Sequence, residues 1–168
     1  MQTIMNLPQP VIAEVCGIAA AAGCQLVASC DLAVASEKAN FMTPGVNIGL
    51  FCSTPMVAVS RNLSRKKIME MLLTGEKLSA KEAVDYGLIN HCVPLDQLHQ
   101  KTLNIANIIA SKPTSTVKIG KKAFYKQVEM SISDAYNYTS EVMVQNMLEL
   151  DAHEGISAFL EKRLPKWQ

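Results

Sequence analysis

The stretch from Pro10 to Gly49 constrains the fold more than any other part of the chain. A short, mostly apolar run at residues 11–15 is followed by small residues at 17 and 19–23, and a second apolar run occupies 32–35. Short apolar runs bounded by proline and glycine favour buried strands. Small residues that lead into a helix leave backbone N–H groups unpaired at its start, a setting that suits an anion or a developing oxyanion. This stretch therefore predicts strand, tight turn, helix and strand.

The remainder of the sequence is dominated by helix signals. Ser53 or Thr54 is predicted to cap one helix, and Gly75 to end the next. A capping box is predicted at residues 79–82, and Ser133 is predicted to cap a long helix. Further helices are predicted at 95–111, 113–127 and 154–162, with a strand near 88–93. Two or three strands followed by helices predict an α/β protein with a helical C-terminal half.

Composition excludes several classes of function. The 168 residues carry a net charge of +1, which gives no case for a nucleic-acid partner. No apolar run is long enough for a membrane span, and no targeting signal is recognisable at the N-terminus. The five cysteines and three histidines are scattered without metal-ligand spacing, so we expect reduced thiols and no metal.

Three segments carry a family resemblance. They are residues 10–41 (PVIAEVCGIAAAAGCQLVASCDLAVASEKANF), 72–94 and 154–163. In this order they resemble segments of the crotonase (enoyl-CoA hydratase/isomerase) superfamily. The resemblance implies a single domain with a partial crotonase-like ββα spiral core at 1–95 and a helical trimerisation region at 96–168. It also implies an N-terminally shortened form, without the part that supplies the first strands, much of the CoA-binding surface and one oxyanion donor.

The resemblance assigns roles to four residues of the stretch and the loop after it. It places an oxyanion N–H donor at Ala22. It aligns Gln25, Gly45 and Ser53 with positions where hydratases or isomerases carry glutamates. No Asp or Glu occurs between Glu37 and Glu70, so none of the usual acid–base positions is filled. An amide such as that of Gln25 can orient water but cannot take up a proton at neutral pH.

The resemblance also concerns the CoA and acyl subsites. Lys162 and Arg163 match a basic pair near the CoA phosphates, and a solvated final helix turn is the open alternative. The loop at 50–57 is bulkier than the glycine-rich loop of the hydratases, which predicts a narrowed acyl pocket.

Other side chains that could do chemistry have simpler interpretations. Cys24 and Cys52 are predicted to fill gaps in the core rather than to act as thiolates. Glu14 lies on a predicted strand, where an edge position or a paired neighbour is the favoured interpretation. Ser53 has no nearby histidine in the sequence, so a hydrolase triad is unsupported.

The resemblance implies an acyl-CoA-related protein of mitochondrial fatty-acid metabolism, and the replaced glutamates predict that it lacks enoyl-CoA hydratase activity. One alternative is an acyl-CoA enzyme that needs only the oxyanion hole, such as a decarboxylase or thioesterase. Another is a short isoform that modifies full-length subunits or is non-functional. The expected partners are an acyl-CoA ligand and further subunits in a homotrimer or hexamer, with no cofactor.

Overall fold

The computed structural model describes all 168 residues, which form two compact units. The first unit contains residues 1–5 and 11–106, and the second contains 6–10 and 107–168. The helices are α1 Gln2–Asn6, α2 Ala22–Ser29, α3 Ser53–Val59, α4 Arg65–Thr74, α5 Ala80–Asp85, α6 Leu98–Ala110, α7 Thr114–Gln127, α8 Ile132–Met147 and α9 Leu150–Leu160. The strands are β1 Ile12–Val15, β2 Ile18–Ala20, β3 Leu32–Ser36, β4 Asn40–Met42, β5 Lys77–Ser79 and β6 His91–Val93. Single 3-10 turns lie at Pro44–Ile48 and Leu95–Gln97.

Two small sheets organise the first unit. In one sheet β3 lies between β1 and β6, and all three strands are parallel. In the other, β4 lies between β2, which is parallel to it, and β5, which is antiparallel. Ala20 at the end of β2 is in register with Met42 at the end of β4. Because parallel strands end at the same edge, the segment after β4 lies beside the start of α2.

The core of the first unit is formed by apolar side chains from both sheets and the helices that cover them. The largest fully buried apolar side chains are Phe41, Met71, Leu78, Val34 and Val59. Full burial of such a side chain stabilises a fold by about 1.5–3 kcal/mol relative to exposure. Helix α2 packs against α3, so this core also fixes the direction in which α2 starts.

Several predicted helix ends are confirmed. Gly75 ends α4 in the left-handed conformation, with φ of 67°. The capping box is present: the Ser79 side chain accepts from the Glu82 N–H, and the Glu82 carboxylate accepts from the Ser79 N–H at 2.9 Å. Both are local signals, which is why the sequence alone reveals them.

Other sequence-based predictions of local structure are wrong. The chain has six strands rather than two or three. The strands that were not predicted are β2, β4 and β5, whose three residues carry too little periodicity to be recognised. The cap of α8 is Ser131, not Ser133; its side chain accepts from the Asp134 N–H. Cys52, rather than Ser53 or Thr54, precedes α3 and makes no side-chain cap. Helix α9 starts four residues earlier than predicted, at Leu150.

The second unit is helical. Helices α7, α8 and α9 pack against one another, and the final residues lie against α9 and the start of α7. None of the helices in the structure combines the length and the apolar character that crossing a membrane requires.

Candidate functional site

The start of α2 has an unusual backbone geometry. Ala21, which precedes the helix, has φ of 46° and ψ of −110°, a region that favours glycine. Its N–H donates to the Met42 carbonyl at 2.9 Å, and its carbonyl accepts the first helical bond, from the Gln25 N–H at 3.0 Å. The N–H groups of Ala22 and Gly23 therefore have no acceptor within the helix, and no side chain caps them. Unpaired donors at this position can stabilise a developing oxyanion.

Strain at Ala21 leads to a first prediction. A positive φ in a residue other than glycine costs of the order of 1–3 kcal/mol. Replacement by glycine removes this cost, but part of the gain in stability is lost because glycine gives the unfolded chain more conformational freedom. We expect Ala21→Gly to raise the free energy of unfolding by about 1 kcal/mol. Chemical denaturation measures it, and a loss of stability would show that Ala21 is not strained.

Gln25 lies in the first turn of α2 and is half-buried. The backbone carbonyl of Gln25 accepts a hydrogen bond from the Ser29 hydroxyl at 2.8 Å. This bond does not involve the side-chain amide of Gln25. The amide can therefore turn toward a ligand or a water molecule, but it offers no base.

Gly45 is packed so tightly that it has no room for a side chain. A Cβ atom added there would lie 2.7 Å from the Leu50 carbonyl oxygen and 2.9 Å from the Cys52 Sγ. The Leu50 carbonyl belongs to the main chain of a closed loop, because the Leu50 N–H bonds back to the Gly45 carbonyl at 3.0 Å. The loop at 50–52 thus occupies the space that a carboxylate-bearing side chain at position 45 would need.

Cys24 is a core residue. It is fully buried, and burial raises the pKa of its thiol to about 12; neighbouring Cys52 raises it further and a backbone hydrogen bond from Met42 opposes both. The thiol therefore stays protonated at neutral pH and is not a nucleophile. This agrees with the prediction that Cys24 fills a gap in the core. Cys52 is also buried.

Thr43 is a residue of this region that the sequence analysis missed. Its side chain is fully buried, and its hydroxyl has no hydrogen-bond partner in the structure. Phe41 on β4 is also fully buried, and Thr43, the first residue after β4, continues the alternation of buried and half-buried residues along that strand. That spacing is the signal that could have marked Thr43 as inward-facing.

The unpaired hydroxyl of Thr43 leads to a second prediction. A buried donor without a partner carries a desolvation penalty of about 1–3 kcal/mol. We expect Thr43→Val, which keeps the shape and removes the hydroxyl, to stabilise the fold by about 1 kcal/mol. Thr43→Ser, which keeps the hydroxyl and removes the methyl group, should destabilise it instead. Equal losses in both variants, measured by thermal unfolding, would contradict the assignment.

The remaining candidates in the first unit have structural roles. Ser53 is exposed, and its N–H closes a tight turn with the Phe51 carbonyl at 2.7 Å. Glu14 lies on edge strand β1, where its carboxylate is 3.3 Å from the His99 ring. The predicted pairing of Glu14 with a neighbour is confirmed. No group of three or more His, Cys, Asp or Glu side chains is arranged to hold a metal ion.

Lys162 and Arg163 belong to the second unit. The Arg163 guanidinium bonds to both carboxylate oxygens of Glu154, and its Nε donates to Glu161 at 2.6 Å. Two carboxylates thus already hold Arg163. Lys162 is exposed and has a positive φ of 55°.

Comparison with known proteins decides the family. A model of the enoyl-CoA hydratase/isomerase family matches residues 1–168. The chain belongs to the enoyl-CoA hydratase/isomerase family. It is 55% identical over 167 residues to human enoyl-CoA hydratase domain-containing protein 3, mitochondrial, covering 99% of this chain and 55% of the relative. It is also 32% identical, over 98% of its length and 60% of the relative, to a probable mitochondrial enoyl-CoA hydratase of Dictyostelium discoideum.

Solved structures of the family agree with this fold. The crystal structure of human enoyl-CoA hydratase domain-containing protein 3 matches 99% of this chain and 66% of that chain, with a TM-score of 0.97 and 54% identity. An enoyl-CoA hydratase from Mycobacterium smegmatis matches with a TM-score of 0.98 and 51% identity over 99% of this chain and 65% of that one. The predicted membership and the crotonase fold are both confirmed. The chain spans about half the length of the curated relatives it matches.

Proposed function

We propose that this member of the enoyl-CoA hydratase/isomerase family binds acyl-CoA thioesters without hydrating them. Hydration of an enoyl thioester needs one group to activate water and another to protonate the α-carbon, each typically worth about 10²–10⁴ in rate. The positions that resemble the family's glutamates are Gln25, Gly45 and Ser53, and none carries a carboxylate.

The packing of Gly45 is the observation that carries this proposal. The Leu50 carbonyl and the Cys52 thiol fill the space beside it. Position 45 thus lacks a carboxylate, and the loop beside it leaves no space for one. Both features support a site whose chemistry differs from hydration.

Support for thioester binding comes from the start of α2. The Ala22 N–H is left unpaired by the geometry of Ala21, and Ala22 itself is exposed. A thioester carbonyl is an acceptor that fits such a donor. Within the second unit taken by itself, Lys162 is the candidate phosphate contact, since Glu154 and Glu161 hold Arg163.

The relatives support a mitochondrial location. The similar proteins from human, rat and Xenopus are all described as mitochondrial. We propose the same compartment for this chain.

Exposed apolar side chains support self-association. Tyr136, Val144, Phe159 and Leu160 on α8 and α9 are between 56% and 82% exposed. A surface of this kind marks an interaction site, and we propose that copies of this chain meet there as a homotrimer or hexamer. Light scattering during size-exclusion chromatography measures the assembly, and a stable monomer would exclude it.

The same unpaired N–H favours a second candidate function. An oxyanion donor together with binding energy can accelerate thioester cleavage or decarboxylation without a carboxylate. Product analysis after incubation with acyl-CoA and carboxyacyl-CoA substrates distinguishes this candidate from binding alone.

Calorimetric titration tests the proposed binding. A saturated acyl-CoA is titrated into the chain in parallel with CoA that lacks an acyl group. We expect saturable binding that is tighter for the acyl-CoA, because free CoA lacks the thioester carbonyl that is proposed to accept from the Ala22 N–H. Absence of binding to any CoA ester would reject the proposal.

A further inference from the structure

The C-terminal segment Leu164–Gln168, which we call the strap, is docked on the second unit by its backbone. The Lys166 N–H donates to the Glu154 carboxylate at 2.7 Å. The Gln168 N–H donates to the Asp151 carboxylate at 2.9 Å. Both acceptors lie on α9, so the strap runs along that helix.

Trp167 fixes the middle of the strap. Its indole Nε1–H donates to the Ser111 carbonyl at 2.9 Å. The ring lies against Gly155, where an added Cβ would be 3.3 Å from two ring carbons. Trp167 also forms one wall of a groove of about 320 Å³, whose other walls include Met143, Met147 and Ile156.

Glu154 on α9 binds both Arg163, which precedes the strap, and Lys166 within the strap. Its carboxylate binds the Arg163 guanidinium through both oxygens and also accepts from the Lys166 N–H. These bonds hold the pKa of Glu154 down to about 2, so the carboxylate is ionised at neutral pH. Glu161 also binds Arg163, but makes no contact with the strap backbone.

The strap has little else to hold it. Leu164 is 87% exposed, Lys166 is exposed, and Trp167 keeps 37% of its surface exposed. Segments with few buried apolar contacts and exposed hydrogen bonds open at low free-energy cost. Docking therefore depends on the contact of the Trp167 ring with Gly155 and on a small number of hydrogen bonds, of which the bond from the Lys166 N–H to Glu154 is the shortest.

We propose that the strap is a lid that opens and closes at Glu154, with Trp167 as the movable wall of the groove. When the strap is docked, the indole closes the groove beside Gly155. Asp151 also lines the groove, and release of the strap frees its Oδ1 from the Gln168 N–H while the Ser115 hydroxyl still donates to its Oδ2 at 2.8 Å. This device is independent of the thioester site proposed above.

Trp167 is the only tryptophan, so its fluorescence reports the strap directly. We expect Glu154→Gln to raise acrylamide quenching of Trp167 severalfold and to shift its emission to the red. Glu161→Gln is the matched control, because it removes the same charge from Arg163 without touching the strap backbone. Unchanged quenching in Glu154→Gln, or an equal rise in Glu161→Gln, would overturn the proposal.

A second pair of variants avoids the helices altogether. Lys166→Pro deletes the N–H that binds Glu154, whereas Lys166→Ala keeps it. We expect only the proline variant to expose Trp167, with helix content by circular dichroism unchanged in both. Equal quenching in the two variants would show that this hydrogen bond does not control the lid.

Discussion

Gly45→Ala is expected to lower the free energy of unfolding by about 2–3 kcal/mol, near the upper end of the cost of overpacking. The new Cβ would lie 2.7 Å from the Leu50 carbonyl oxygen and 2.9 Å from the Cys52 Sγ. The oxygen is a main-chain atom in a hydrogen-bonded loop, so it cannot move without shifting the loop. Urea denaturation of the chain and the variant measures the difference.

Gly23→Ala is the control for this prediction. Gly23 lies in α2, and an added Cβ there meets nothing within 4 Å. Because alanine is the better helix former by about 0.5–1 kcal/mol, this variant should be neutral or stabilising. Cys52→Gly combined with Gly45→Ala should recover part of the loss, because one of the two close contacts is removed. Equal stability of Gly45→Ala and Gly23→Ala would contradict the packing described at Gly45.

Ala22→Asp is expected to weaken binding of an acyl-CoA thioester by about tenfold, the equivalent of about 1.4 kcal/mol. An aspartate at the first position of α2 places a negative charge where the thioester carbonyl is proposed to bind. The same charge interacts favourably with the helix start, by about 0.3–1 kcal/mol, so the fold should be retained. The dissociation constant from calorimetry gives the effect, and thermal unfolding checks the fold.

Leu26→Asp is the matched control, because it adds the same charge one turn further along α2 at a side chain that is 47% exposed. Any weakening of binding in Leu26→Asp measures the general repulsion between the added negative charge and the anionic ligand. If both variants weaken binding equally, the Ala22 N–H does not contact the ligand. Ala22→Pro is less suitable, because the backbone of Ala21 is incompatible with a following proline.

Local signals account for the parts of the fold that the sequence predicts well. Gly75 and the Ser79–Glu82 capping box act within a few residues, and each has the predicted role in the structure. Strands β2, β4 and β5 were not predictable in this way. Each has three residues, and each is defined by pairing with a partner distant in sequence.

The candidate site shows the same division. A resemblance assigns Gln25 and Gly45 to positions of missing carboxylates, and the sequence confirms only which residues stand there. The sequence predicts a narrowed pocket from the bulk of the loop at 50–57, but the contact of Gly45 with Leu50 and Cys52 depends on how that loop folds back. The capture of Arg163 by Glu154, nine residues away, likewise needs the turn after α9.

The packing at Gly45 also sets a condition for restoring hydratase chemistry. The double variant Gly45→Glu and Gln25→Glu introduces two carboxylates. The glutamate at position 45 fits only if the loop at 50–52 moves away from it. We expect this double variant to remain inactive in the hydration assay, because the Leu50 carbonyl oxygen would lie 2.7 Å from the new Cβ at position 45.

A hydration assay at saturating ligand tests the central claim most directly. The loss of the enoyl thioester absorbance is followed with a short trans-2-enoyl-CoA, at concentrations where calorimetry shows the site to be filled. Binding without hydration above the buffer rate is the predicted result. Turnover at the typical enzymatic rate of about 1–10³ s⁻¹ would contradict the account, because Gln25, Gly45 and Ser53 of the proposed site carry no carboxylate to act as acid or base.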